Sequence, residues 1–184
     1  MRFSTRDITF VSLFVALITI GSKITIPSPI VPFSMQFMFV VLAGMLLGSR
    51  LGLTSMIVYI ILGLIGVPVF AKGGGIGYLV SPTFGYIIGF VAAAYIIGKM
   101  TERVKGKLTF IKALAISLVG LLAVYTFGLS YMLLIKNLYI GSGMTLANAF
   151  WYGVVLFIPS DFIFCMICAL IGTKVASRVK AMMN

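Results

Sequence analysis

The chain has 184 residues, 61% hydrophobic and 9% charged, and its 14 Lys and Arg against 3 Asp and Glu give a formal net charge of +11. A bilayer-spanning helix needs about 20 mostly apolar residues, so this length holds about six spans and leaves no room for a separate soluble domain. No His, two Cys and three acids (Asp7, Glu102 and Asp161) leave most hydrolytic and metal chemistry without its parts.

The apolar runs predict an all-α integral membrane protein in one domain over residues 1–184. Its six transmembrane helices lie at about 7–26, 34–48, 51–67, 82–100, 109–135 and 146–173. Arg2 and Arg6 before the first apolar run are also what a secretory signal carries. No small-x-small cleavage site is followed by a soluble region here, and five more spans come next. Ser12 and Ala16 on the first span form a small-x-x-x-small stripe suited to internal packing or to another protein. The loop that follows is stiff and aromatic, with Pro27, Pro29, Pro32 and Phe33, and leads to the amide of Gln36. Gly44, Gly48 and Gly52 straddle the second and third spans, and Gly85, Gly89 and Ala93 lie on the fourth. Both runs predict close helix packing inside the protein.

The connection between the third and fourth spans gathers Pro68, Lys72, Gly73, Gly74, Gly75, Gly77 and Tyr78, then Pro82, Thr83 and Tyr86. Its glycines either converge backbone N–H groups on an anion, let the segment move as a lid, or make a plain flexible linker. On the sixth span, Cys165 and Cys168 share a face and read as buried thiols without a special role. Asp161 lies about 20 Å along that span from its start near Leu146, and an ionisable group at that depth marks a function by default. A carboxylate that only holds the bundle together is the alternative. Pro159 removes a backbone donor just before it, Ser160 adds a hydroxyl, and Asn148, Trp151 and Tyr152 lie nearer the outer end.

Cytoplasmic loops carry an excess of Lys and Arg. With both termini inside, the inner segments collect eleven cations: Arg2, Arg6, Arg50, Lys99, Arg103, Lys105, Lys107, Lys112, Lys174, Arg178 and Lys180. Lys23, Lys72 and Lys136 remain outside. The basic charge therefore reads as membrane topology, N-in and C-in, and not as a nucleic-acid surface. A G-x-x-x-x-G-K-[ST] phosphate loop does not occur, so an ATP-driven function needs a partner. One intramembrane carboxylate and no His base supply neither an aspartyl dyad nor an activated serine, so no catalytic residue, metal ligand or cofactor is assigned and an enzyme is not expected. The outer loops and the sixth span together predict an outward-facing pocket for a small amphipathic acid, with cations for its carboxylate and Asp161 for a hydrogen-bond donor.

The ordered set Pro32-Phe33-Ser34-Met35-Gln36, Ala43-Gly44-Met45-Leu46-Leu47-Gly48-Ser49-Arg50-Leu51-Gly52, Leu62-Gly63-Leu64-Ile65-Gly66-Val67-Pro68, the glycine loop, Pro82-Thr83-Phe84-Gly85-Tyr86 and Pro159-Ser160-Asp161 resembles the BioY family. These are the biotin-specific substrate-capture subunits of energy-coupling factor (ECF) transporters. The resemblance covers nearly the whole chain. It implies a six-helix S-component bundle in a prokaryotic cell membrane that captures biotin from outside, and partners comprising a transmembrane coupling subunit and two cytoplasmic ATPases. It also implies substrate-binding roles for Asp161, Gln36, Tyr78 and Tyr86, with Lys72, Gly73, Gly74, Gly75, Asn148, Tyr152 and Phe164 as further candidates, and contact of Ser12 and Ala16 with the coupling subunit. The chain departs from the family pattern in carrying Ser160 for a Gly, Phe164 for a Lys and Ile87 for an Arg found in some members. A pocket with fewer ureido partners makes lipoate, or another small carboxylic-acid vitamin, the alternative ligand. A self-sufficient proton-coupled transporter using Asp161 is the alternative mechanism.

Overall fold

The computed structural model describes residues 3–26 and 33–183. Pro27, Pro29 and Pro32 lie outside the described residues. Ser4 opens helix α1 (Thr5–Lys23): its hydroxyl accepts from the Asp7 N–H at 3.2 Å, and the Asp7 carboxylate accepts from the Ser4 N–H at 3.0 Å. This reciprocal cap satisfies amide groups at the helix start and moves the boundary ahead of the predicted residue 7. The helix ends at Lys23, short of the predicted 26, because Thr25–Ile26 (β1) pairs antiparallel with Phe33–Ser34 (β2).

Where the sequence predicts two helices, 34–48 and 51–67, Gln36–Leu64 is one helical stretch, α2, broken at Gly48. There φ is +82° and ψ −179°, a region open essentially to glycine alone. A Cβ on Gly52 would stand 3.1 Å from the Gly44 Cα. Eight residues of unbroken helix would hold them about 12 Å apart along the axis, so the two halves of α2 lie against one another. Both halves press on α3 (Phe84–Glu102), since a Cβ on Gly44 would stand 2.6 Å from the Ala94 carbonyl oxygen and one on Gly98 would overlap the Ser49 amide. The glycine runs therefore pack inside the bundle. Glu102, at the end of α3, closes the break: its Oε1 accepts from the Ser49 N–H at 2.7 Å and the Ser49 hydroxyl at 2.8 Å.

A connection with a 3₁₀ turn at Ile76–Val80 leads to α3, and α4 (Phe110–Leu134) runs on into a π-helical turn, Ile135–Tyr139. The predicted single helix 146–173 is divided into α5 (Leu146–Phe150), a π-helical turn at Trp151–Val155 and α6, which begins at Ile158 and continues to Met183. The division follows from two local causes. The Leu156 N–H reaches back five residues to the Trp151 carbonyl, widening the turn. Pro159, which has no N–H to donate, then falls in the first turn of α6, where the lack costs little.

Among the described residues five helices are long and apolar enough to cross a membrane: α1, α2, α3, α4 with its continuation, and α5 through α6. α3 packs between α2 and α4, α1 lies on α2, and α6 touches α2 and α4. The core between them, around Val40, Ala43, Met56, Ala94 and Ile97, is fully buried. Outward faces carry Leu13, Ile61, Leu122 and Leu170, an apolar exterior of the kind lipid requires.

Candidate functional site

A narrow cleft opens at the end of the bundle that carries the 65–83 connection. The empty space between its walls, including the part open at its mouth, is about 640 Å³. Phe37 and Phe90, stacked with centroids 6.2 Å apart, form an apolar wall together with Ile87, Val124 and Phe157. Seven polar side chains interrupt these walls: Ser34, Gln36, Tyr78, Thr83, Tyr86, Tyr125 and Asp161. Apolar walls with a few convergent polar groups orient a ligand without costing much of its burial energy.

At the floor, α4 and α6 are close enough for the Tyr125 hydroxyl to donate to Asp161 Oδ2 at 2.7 Å. Asp161 is 8% exposed, and among the described residues no Lys or Arg pairs with it. A buried carboxylate held by one neutral donor keeps further accepting capacity, because an ionised carboxylate offers about four lone-pair directions. Beside it, the Tyr86 hydroxyl donates to the Gly153 carbonyl at 2.8 Å, tying α3 to the π-helical turn ahead of α6. Nearer the mouth, Thr83 donates to the Tyr78 hydroxyl at 3.3 Å and shares a 2.8 Å hydrogen bond with Ser81. The Tyr131 hydroxyl donates to the Leu79 carbonyl. Gln36 is 4% exposed and its Nε2 has no hydrogen-bond partner, although burying an unpaired donor costs about 1–3 kcal/mol.

Of the residues singled out in the sequence, Asp161, Gln36, Tyr78 and Tyr86 come together in this cleft. Lys72 and Asn148 are exposed and do not line it, and Tyr152 points outward from the π-helical turn. Phe164, nearly one turn beyond Asp161, is half-buried outside the lining. Gly73, Gly74 and Gly75 do not line it either, and their expected anion nest is not built. The Gly73 N–H goes to the Phe70 carbonyl at 3.1 Å and the Gly75 N–H to the Gly63 carbonyl at 2.7 Å, so these donors are taken up by the loop and by the end of α2. Gly74 lies over the Val67 carbonyl, where a Cβ would overlap backbone.

The segment is pinned as well as closed. Phe70 is fully buried, ringed by Tyr59, Tyr78 and Phe84 at centroid distances of 5.4, 4.5 and 6.5 Å. The Ser22 hydroxyl and the Tyr59 hydroxyl both donate to the Val69 carbonyl, at 2.5 and 3.0 Å, and Lys23 Nζ donates to the Phe70 carbonyl at 2.6 Å. Lys23, expected to meet an arriving anion, instead secures the loop to the end of α1. Ser12 and Ala16 are exposed on one face of α1. Tyr125 escaped the sequence reading, and Thr83 figured in it only as part of the connection and its motif; a lone tyrosine directly after the apolar run Gly120 to Val124 was the available signal for the first.

Comparison with known proteins places this geometry in context. The sequence model of the BioY family matches residues 1–181. The probable biotin transporter BioY of Lysinibacillus sphaericus is 41% identical over 173 residues, which is 93% of this chain and 87% of that protein. The biotin transporter BioY of Thermotoga maritima is 35% identical over 170 residues, covering 92% and 95%. The crystal structure of the S-component for biotin from an ECF-type ABC transporter superposes with a TM-score of 0.79 over 96% of this chain and 95% of that one. At 24% identity, that likeness concerns the fold.

Proposed function

The chain belongs to the BioY family, and on that premise we propose that it is the biotin-capturing subunit of an energy-coupling factor transporter in a prokaryotic plasma membrane. The observation that carries the proposal is the carboxylate of Asp161 at the floor of a largely apolar cleft, held by Tyr125 and free of any cation among the described residues. A ring bearing N–H donors satisfies that carboxylate, and the Phe37 and Phe90 walls suit an aliphatic, sulfur-bearing body. Lipoate would fill the same apolar volume but would leave Asp161 without a ligand donor, at a cost of about 1–3 kcal/mol or more.

The chain crosses the membrane six times in this reading, with the break at Gly48 as a hairpin between the second and third spans. Both termini then lie inside. The position of Lys99, Arg103, Lys105 and Lys107 at the end of the bundle away from the cleft supports that orientation. The coupling subunit and ATPases supply the energy, and the exposed Ser12 and Ala16 of α1 are where the coupling subunit fits closely. Isothermal titration of the purified protein with biotin and with lipoate tests the assignment. Tight biotin binding that Asp161→Asn weakens at least tenfold is expected. Tight lipoate binding without biotin heat would overturn it.

A further inference from the structure

We propose that Tyr125 and Tyr86 together make the floor of the cleft an acceptor-only surface, with Tyr125 as the positioning residue that aims Asp161 at a ligand carrying paired N–H donors. This rests on the cleft being the ligand site, and it goes further by saying what excludes other small acids.

A tyrosine hydroxyl has one proton. Tyr125 gives its proton to Asp161 Oδ2 at 2.7 Å, and Tyr86 gives its proton to the Gly153 carbonyl at 2.8 Å. Both tyrosines line the cleft together with Asp161, and with their protons already placed their hydroxyls have only lone pairs left for a ligand. Asp161 Oδ1 adds a third acceptor. Three oxygens from α3, α4 and α6 therefore converge on the floor, and no proton of theirs remains to donate. A ligand group that can only accept hydrogen bonds meets repulsion there, and an apolar ring leaves the carboxylate undersolvated. A cyclic urea, with two N–H groups held in one plane, satisfies the set.

The other polar element has the opposite sense. The Gln36 amide Nε2, 4% exposed and without a partner, is an unused donor on the same cleft. An acceptor at that wall and donors at the floor fix one direction for the ligand ring.

Tyr125 acts through Asp161. Its hydroxyl ties α4 to α6 and fixes which carboxylate oxygen is left for the ligand. Without it, the carboxylate can turn its Oδ2 to other partners and the distinction between N–H and non-donor rings weakens.

The experiment is titration of the wild-type protein, Tyr125→Phe, Asp161→Asn and the double variant with three probes. These are biotin, lipoate and the cyclic carbamate analogue of biotin, in which one ureido N–H is replaced by an ether oxygen. Wild type is expected to bind the carbamate about ten- to a hundredfold more weakly than biotin, the range for one hydrogen bond to a charged group. Tyr125→Phe is expected to shrink that gap to about threefold or less, and to add little further loss in the Asp161→Asn background, because coupled residues are non-additive. A purely structural tyrosine would lower both affinities together and keep the gap.

Equal wild-type affinity for biotin and the carbamate would overturn the proposal without any variant needing to fold. So would a Tyr125→Phe protein that retains the full gap. Wild type that binds lipoate tightly and biotin not at all would instead refute the biotin assignment on which the proposal stands.

Discussion

Gly89 links helix packing to ligand affinity, and replacing it with Ala tests both. A Cβ at this position would stand 2.8 Å from the Val124 Cα and 2.9 Å from the Val124 carbonyl oxygen, both backbone atoms of α4 that cannot rotate away. Ordinary contact begins near 3.4 Å, so α4 must retreat from α3 by about 0.6 Å. Tyr125 is the next residue, and a shift on that scale stretches its 2.7 Å bond to Asp161 toward about 3.3 Å and weakens it well past the ~2.7–2.8 Å optimum for O–H···O. Overpacking of this kind costs about 1–3 kcal/mol of stability. Loss of the bond adds about a tenfold or larger drop in biotin affinity. Gly120→Ala on the same helix is the control, because its Cβ would meet the flexible end of Ile97. Thermal unfolding followed by tryptophan fluorescence and calorimetric titration measure the two effects in detergent. A Gly89→Ala protein as stable and as tight-binding as wild type, or a Gly120→Ala protein that loses more, would refute the reasoning.

Two further outcomes follow from the polar groups. Gln36→Met removes a buried unpaired donor, so the ligand-free protein should unfold no earlier while biotin binds about tenfold more weakly; unchanged affinity would show that the amide does not face the ligand. Glu102→Ala leaves the Ser49 N–H at the α2 break without its acceptor and should lower the unfolding midpoint by a few degrees, about 1 kcal/mol, with biotin affinity unchanged because the cleft lies at the other end.

Much of this arrangement was legible in the residues and some was not, for identifiable reasons. Long apolar runs separated by Gly, Pro and Lys mark spans whatever their packing, so the helices were found to within a few residues. The exceptions have local causes: the Asp7 cap, the wide turn from Leu156 back to Trp151 that divides the last helix, and the positive φ of Gly48, where two predicted helices form one broken stretch. Asp161 stood out because an acid in an apolar helix has no bland explanation. Tyr125 did not, because a tyrosine among leucines reads as core until a carboxylate is known to lie opposite. The glycine loop misled for a related reason. Flexibility belongs to the residue type, but whether its N–H groups are free depends on acceptors such as the Gly63 carbonyl, contributed by the preceding helix.

The break at Gly48 also bears on the lipid around the protein. The stretch from Gln36 to Leu47 rises only about 18 Å and that from Ser49 to Leu64 about 24 Å, whereas a bilayer's hydrocarbon is about 30 Å thick. On the six-span reading, in which each half of α2 crosses by itself, the leaflets on that flank draw together or headgroups sink inward, at a cost of fractions of a kcal/mol per Å. On that reading bilayer thickness becomes a variable for this fold, with shorter acyl chains relieving a mismatch that longer ones deepen.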